Sequence, residues 1–154
     1  MSKVAEAVEL FRQGYACSQA ILAVYGPGFG LDRATAMRLA AGFAGGMRMG
    51  ETCGTVTGAF MVLGLERGPA DCATKAGREA VYASVREFAS RFRKRNGSLA
   101  CKELLGCDVS TSEGFKQAQE RNLFRDFCPE MVKAAAEILE GLIAESRPPG
   151  TARP

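Results

Sequence analysis

No histidine and no tryptophan occur among the 154 residues of this chain. Without imidazole the Ser-His-Asp and Cys-His nucleophile arrangements, the zinc-protease helix, imidazole-ligated haem and most catalytic zinc sites are excluded together. Chemistry must then rest on cysteine, carboxylate, lysine, arginine or tyrosine. No strand pattern of any length and no internal repeat is present. The longest weakly polar run, residues 53–65, is well short of the roughly 20 residues that cross a bilayer, so no membrane span is expected. The N-terminus MSKVAEAVELF lacks a basic region leading into an apolar one, which predicts a cytoplasmic protein. Net charge is only +3, giving no electrostatic reason to expect nucleic-acid binding.

What the chain does have is 47% apolar residues, enough for a real core in one domain, and six cysteines. Six is many for a reducing compartment, where stable structural disulfides are rare, so metal ligation or redox work is the leading expectation. No CxxC pair exists, which argues against a zinc-knuckle or thioredoxin motif.

Helical periodicity organises the chain. Apolar stripes and caps predict helices over residues 3–13, over SQAILAVY after Cys17, and over 33–44 with Asp32 as cap. A glycine-rich loop, residues 45–50, then feeds Cys53 into the uncharged run 56–65, which reads as a buried central helix. Thr52 is the expected cap, with Cys53 in the first turn. Gly54 and Gly58 share one face and would let another backbone approach. Asp71 is expected to cap a long fifth helix to Asn96, with Val81, Val85, Phe88 and Phe92 as its buried stripe. Its basic end, Arg91, Arg93, Lys94 and Arg95, suits a helix C-terminus on dipole grounds. Ser98 is expected to cap a short helix containing Cys101, and Ser110 or Ser112 another to Arg121. Cys128-Pro129 opens the last helix, to about Glu145. The expected fold is an all-α single-domain bundle of about six or seven helices, residues 1–146. The central helix is surrounded by the first, third, fifth and last, and residues 147–154 form a disordered Pro-rich tail.

Cys17, Cys53, Cys101 and Cys128 therefore fall at or near the starts of four helices, where the dipole favours thiolate. Cys72 also lies beside a cap, in a polar connection expected at the surface. If the four starts converge, the site suits an iron–sulfur cluster, a structural metal or a dithiol–disulfide couple. The segment GGMRMGET imitates a phosphate-binding loop, but Glu51 stands where the lysine is needed, and its carboxylate would repel phosphate.

The stretches ACSQAIL, GGMRMGETCGTVTGAFMVLGL, GSLACKELLGCDVSTSEG and FCPEMVKAAAEIL resemble the redox-active family known by its cysteine pattern C_GCAxxG_C_C. The glycine-containing element reads TCGTVTG here, residues 52–58, with Cys-Gly order and threonine where the family pattern has alanine. The resemblance implies that Cys17, Cys53, Cys101 and Cys128 are the redox-active residues, able to bind an iron–sulfur cluster or to cycle a dithiol and disulfide. The alternative is a non-catalytic module holding zinc or another metal. The family is also similar to the iron–sulfur domain of split-Soret cytochromes, but this chain has no CxxCH for covalent haem. Cys107 lies outside the four, close enough to Cys101 to substitute as ligand or resolving thiol. A redox partner is implied without being identified, a homo-oligomer is compatible, and whether the chain is an enzyme stays open.

Overall fold

A computed structural model describes residues 1–69, 73–147 and 149–150. It is an all-α bundle of α1 (Lys3–Arg12), α2 (Cys17–Tyr25), α3 (Arg33–Ala40), α4 (Gly54–Arg67), α5 (Lys75–Asn96), α6 (Cys101–Leu105), α7 (Ser112–Glu120), α8 (Leu123–Asp126) and α9 (Cys128–Ser146). Among the described residues α6 and α8 are short, of five and four residues; the other seven helices are longer. None of the helices is long and apolar enough to cross a membrane. The predicted cap at Asp71, Cys72 and most of the Pro-rich tail lie outside the described residues.

Local chemistry fixes several of the helix ends. Ser2, Asp32, Thr74 and Thr111 each accept an N–H of the helix they precede, which satisfies a donor with no partner inside the helix. Gly14, Gly97 and Gly106 end their helices in the left-handed region that glycine enters without penalty.

The central helix α4 is buried as expected, but its neighbours differ from the sequence reading. Its closest companion is α2, followed by α5 and α9, whereas α1 lies against α9 and α2, and α3 against α2. The reason is the pair of α4 glycines. A Cβ on Gly58 would stand 3.0 Å from the Ser18 carbonyl oxygen and 3.1 Å from the Ile21 Cβ. Only a bare backbone lets α2 come this close, so α2 takes the place assigned to α1 and α3. Seven of the nine residues of α2 are buried in consequence.

From the far side α5 contributes Phe88 and Phe92, both fully buried, with Phe60 of α4 edge-on to Phe88 at 5.9 Å. Burying each ring is worth about 1.5–3 kcal/mol. The basic end of α5 is tied to α9: Arg91 makes a two-pronged pair with Glu145 at 2.8 and 2.9 Å, and Arg95 meets Glu137 at 2.7 Å. The core falls into two apolar clusters. The larger joins α1 to α5 and α9, and the smaller gathers Cys101, Leu105, Cys107, Val109 and Ala118 under α6, α7 and α8. Phe127 packs against both.

Candidate redox site at the junction of the two clusters

The cysteine site sits where those clusters meet, with Cys53 on the larger side and Cys101, Cys107 and Cys128 on the smaller. Cys53 is not in the first turn of α4 but is its N-cap residue, and Thr52, expected as the cap, is diverted into an antiparallel bridge with Ala100. Two hydrogen bonds clamp that bridge: Cys53 N–H donates to the Leu99 carbonyl at 2.8 Å, and Cys101 N–H donates to the Glu51 carbonyl at 2.6 Å. At about 1 kcal/mol each, these bonds hold the starts of α4 and α6 side by side. Cys101 is the first residue of α6 behind Ala100, with Ser98 accepting the Ala100 N–H two residues earlier. Cys128 is likewise the first helical residue of α9 and Pro129 the second, one position later than the sequence suggested.

Cys17 opens α2 and reaches Cys53 through the absence of a side chain at Gly54. A Cβ on Gly54 would collide with the Cys17 sulfur and lie 3.1 Å from both the Phe43 carbonyl oxygen and the Ser18 nitrogen. The two thiols lie close enough that each perturbs the ionisation of the other.

The glycine-rich segment before α4 is not an ordinary loop. Gly45, Gly46, Met47 and Arg48 all have φ between 58° and 64°, a turn of left-handed helix that includes two residues with side chains. Such residues cost roughly 1–2 kcal/mol each. The turn is closed by Glu51 N–H donating to the Gly46 carbonyl at 3.2 Å. It brings the Gly45 N–H to the Cys17 sulfur and places the Arg48 guanidinium near enough to favour the Cys101 thiolate. Neither contribution was visible in the sequence, because no propensity rule puts methionine and arginine at positive φ.

The thiols are unequal. Cys53 is pulled below its ordinary value near 9 to about 7, first by the hydrogen bond from the Cys17 thiol and then, against the cost of burial, by the Thr55 hydroxyl and the N–H groups of Thr55 and Val56 at the start of α4. Thr55, fully buried, lies with its hydroxyl oxygen 3.2 Å from the Cys53 sulfur. Sequence reading missed it, although a hydroxyl two residues into a helix behind a cysteine is a signal it could have used. Cys17 is pushed well up, mainly because its proton is held on the Cys53 sulfur and because it is buried. Burial, followed by the Cys53 charge, raises Cys101 and Cys128 to about 12 each. Cys53 is thus the one group that bears on all three of the others.

These shifts set a pH dependence of folding. Cys101 and Cys128 are raised in the folded state, so their contribution is full below about pH 9 and is lost as pH rises toward 12, where the unfolded chain has released protons that the fold retains. Cys53 works the other way, with its contribution present above about 9 and fading as pH falls through 7. The reduced protein should therefore show a denaturant midpoint that falls between about pH 9 and 12, and Cys128→Ala should flatten the fall.

The five described cysteines are free thiols. Among the described residues no three cysteine or carboxylate side chains converge closely enough to hold a metal ion. What the thiols offer is one close pair, Cys17 and Cys53, with Cys101 and Cys128 within electrostatic range. No curated protein and no solved structure matches the chain. The family profile described as "Putative redox-active protein (C_GCAxxG_C_C)" matches residues 15–142. That span contains the pair, the left-handed turn and the smaller apolar cluster, and the chain belongs to the C_GCAxxG_C_C family of redox-active proteins.

Proposed function

We propose that the chain is a thiol–disulfide redox protein in which Cys53 is the attacking thiolate and Cys17 the resolving thiol. The observation that carries the reading is the close approach of Cys17 to Cys53 across the bare Gly54, with the Cys53 thiol lowered and the Cys17 thiol raised. The Cys53 thiolate attacks one sulfur of a substrate disulfide, forming a mixed disulfide and releasing the substrate's other sulfur as a thiolate that takes a proton from water. Once Cys53 is bonded, it no longer carries the charge that held the proton on Cys17. Cys17 then ionises, helped by the Gly45 N–H, and attacks the Cys53 sulfur. The products are a Cys17–Cys53 disulfide and a substrate dithiol, two electrons having passed to the substrate. A pKa near 7 suits this role, since an attacking thiol works best when its pKa lies near the ambient pH.

The arrangement of four cysteines at four helix starts keeps a second reading in play, an iron–sulfur cluster or zinc ion held by Cys17, Cys53, Cys101 and Cys128. It needs the sulfurs drawn closer than the described geometry has them. Oxidised glutathione added to reduced protein separates the two. Each of the six cysteines falls on a different tryptic peptide, so linkage can be read directly. The couple predicts joined Cys17 and Cys53 peptides, separated again by dithiothreitol, and the same result in Cys72→Ala. Iron with acid-labile sulfide, or stoichiometric zinc, in protein purified without oxygen and lost with any one of the four cysteines would replace this reading with the metal one.

A further inference from the structure

Cys107 is outside the four cysteines of the family pattern, yet it is placed with them. The five-residue helix α6 begins at Cys101 and ends at Leu105, and Gly106, with a φ of 69°, turns the chain back at once. Cys107 is thereby folded under the helix into the same small apolar cluster as Cys101, with Leu105, Val109 and Ala118 around them and Cys128 packed against the edge. Both thiols are more than nine-tenths buried. The turn is held firmly: the Asp108 side chain accepts from the Ser110 N–H at 3.0 Å and the Ser110 hydroxyl at 2.6 Å, and a Cβ on Gly114 would strike the Asp108 backbone. Gly50 makes the corresponding close approach from the left-handed turn, where a Cβ would lie 2.7 Å from Asp108 Oδ1. The segment carrying Cys107 is thus locked to the turn that serves Cys17, while Cys101 is held beside Cys53 by the paired backbone bonds Cys53 N–H to Leu99 and Cys101 N–H to Glu51.

We infer that Cys101 and Cys107 form a second dithiol couple, which re-reduces the Cys17–Cys53 disulfide from inside the protein. The inference rests on the first couple proposed above. In the exchange the Cys101 thiol passes its proton to Cys17 as its sulfur attacks Cys53 of the Cys17–Cys53 disulfide, in which Cys53 no longer carries the charge that helped hold the proton on Cys101, and Cys17 leaves as a thiol. The Cys107 sulfur then attacks Cys101, forming the Cys101–Cys107 disulfide and freeing Cys53. Two electrons and two protons move from one couple to the other, and none is lost. The protein so equipped takes up four electrons per chain from an external dithiol and passes them out in pairs through Cys53. Cys128, at the edge of the cluster, takes no part in either bond.

The test is stepwise oxidation of the fully reduced protein with oxidised glutathione, followed by alkylation, trypsin and mass spectrometry. Full oxidation is expected to give a linked pair of the peptides carrying Cys101 and Cys107 in addition to the pair carrying Cys17 and Cys53, with Cys128 alkylated. A Cys101–Cys128 or Cys107–Cys128 link, or a Cys107 that stays alkylated after full oxidation, overturns the inference. Cys107→Ser, which changes one atom, should keep the Cys17–Cys53 link while halving the electrons stored in the two couples; an unchanged electron count also overturns it. Failure of the Cys17–Cys53 link in both proteins is a different result, and it removes the first couple and this inference together. A Cys101–Cys107 link absent while Cys17–Cys53 forms removes only the second.

Discussion

Cys53→Ser is expected to abolish the redox couple altogether, while a Cys128→Ser protein keeps the Cys17–Cys53 link. Among the described cysteines Cys53 acts most strongly on Cys17, and its charge is felt by Cys17, Cys101 and Cys128 alike. A serine hydroxyl has nearly the same shape and still accepts from the groups around it, so folding should suffer little, but it neither ionises near neutral pH nor forms a disulfide. The variant should therefore yield no linked Cys17 peptide with oxidised glutathione. It should also shift the ionisation of Cys17 downward, because the charge and hydrogen bond that keep Cys17 protonated are gone. A Cys53→Ser protein that still cycles two thiols against glutathione would move the couple elsewhere in the cluster.

Gly54→Val should do the most structural damage of any single change at the site. A Cβ there overlaps the Cys17 sulfur and crowds the Phe43 carbonyl and the Ser18 amide, and a branched side chain adds two further methyl groups with nowhere to go. Overpacking of a tight core costs about 1–3 kcal/mol and sometimes more. Here the obstacle is backbone on one side and the reactive sulfur on the other, so the upper end of that range is expected. Gly58→Val meets Ser18 and Ile21 instead and should be destabilising by a similar amount while leaving the sulfur contact in place. Comparing the two separates loss of stability from loss of chemistry: Gly54→Val should lose the Cys17–Cys53 link even under conditions where it remains folded, and Gly58→Val should retain it. Equal retention in both would show that α2 can move away from α4 without breaking the pair.

The helices were legible because their signals are local. Asp32 as a cap, Gly97 and Gly106 as stops, and the spacing of Phe88 and Phe92 each act within a few residues. The glycines of α4 were recognised as a close-approach face, but a sequence cannot name the helix that uses it, and that is why α2 was misplaced. The cysteine starts were legible for the same local reason. Their relative geometry was not, since it depends on a bridge of one residue pair, Thr52 with Ala100, too short to leave an alternation pattern. The left-handed turn was hidden for another reason. Met47 and Arg48 occupy a conformation their own preferences oppose, and only tertiary contacts, such as that of Gly50 with Asp108, hold them there. Strain of this kind tends to be kept at functional sites, and here it delivers the Gly45 N–H to Cys17 and the Arg48 charge toward Cys101.

The proposed couple depends most directly on the ionisation of Cys53, and the thiolate ultraviolet absorbance of reduced, oxygen-free protein measures it without requiring a reagent to reach a buried sulfur. The wild-type absorbance, followed from about pH 5 to about pH 8, should show one thiolate appearing with a midpoint near 7. In Cys17→Ala that midpoint should move upward, because the thiol that donates the principal hydrogen bond to Cys53 has been removed. A Cys53 thiolate that appears only at about 9 or above, or a midpoint that Cys17→Ala leaves unchanged, would contradict the proposed pair.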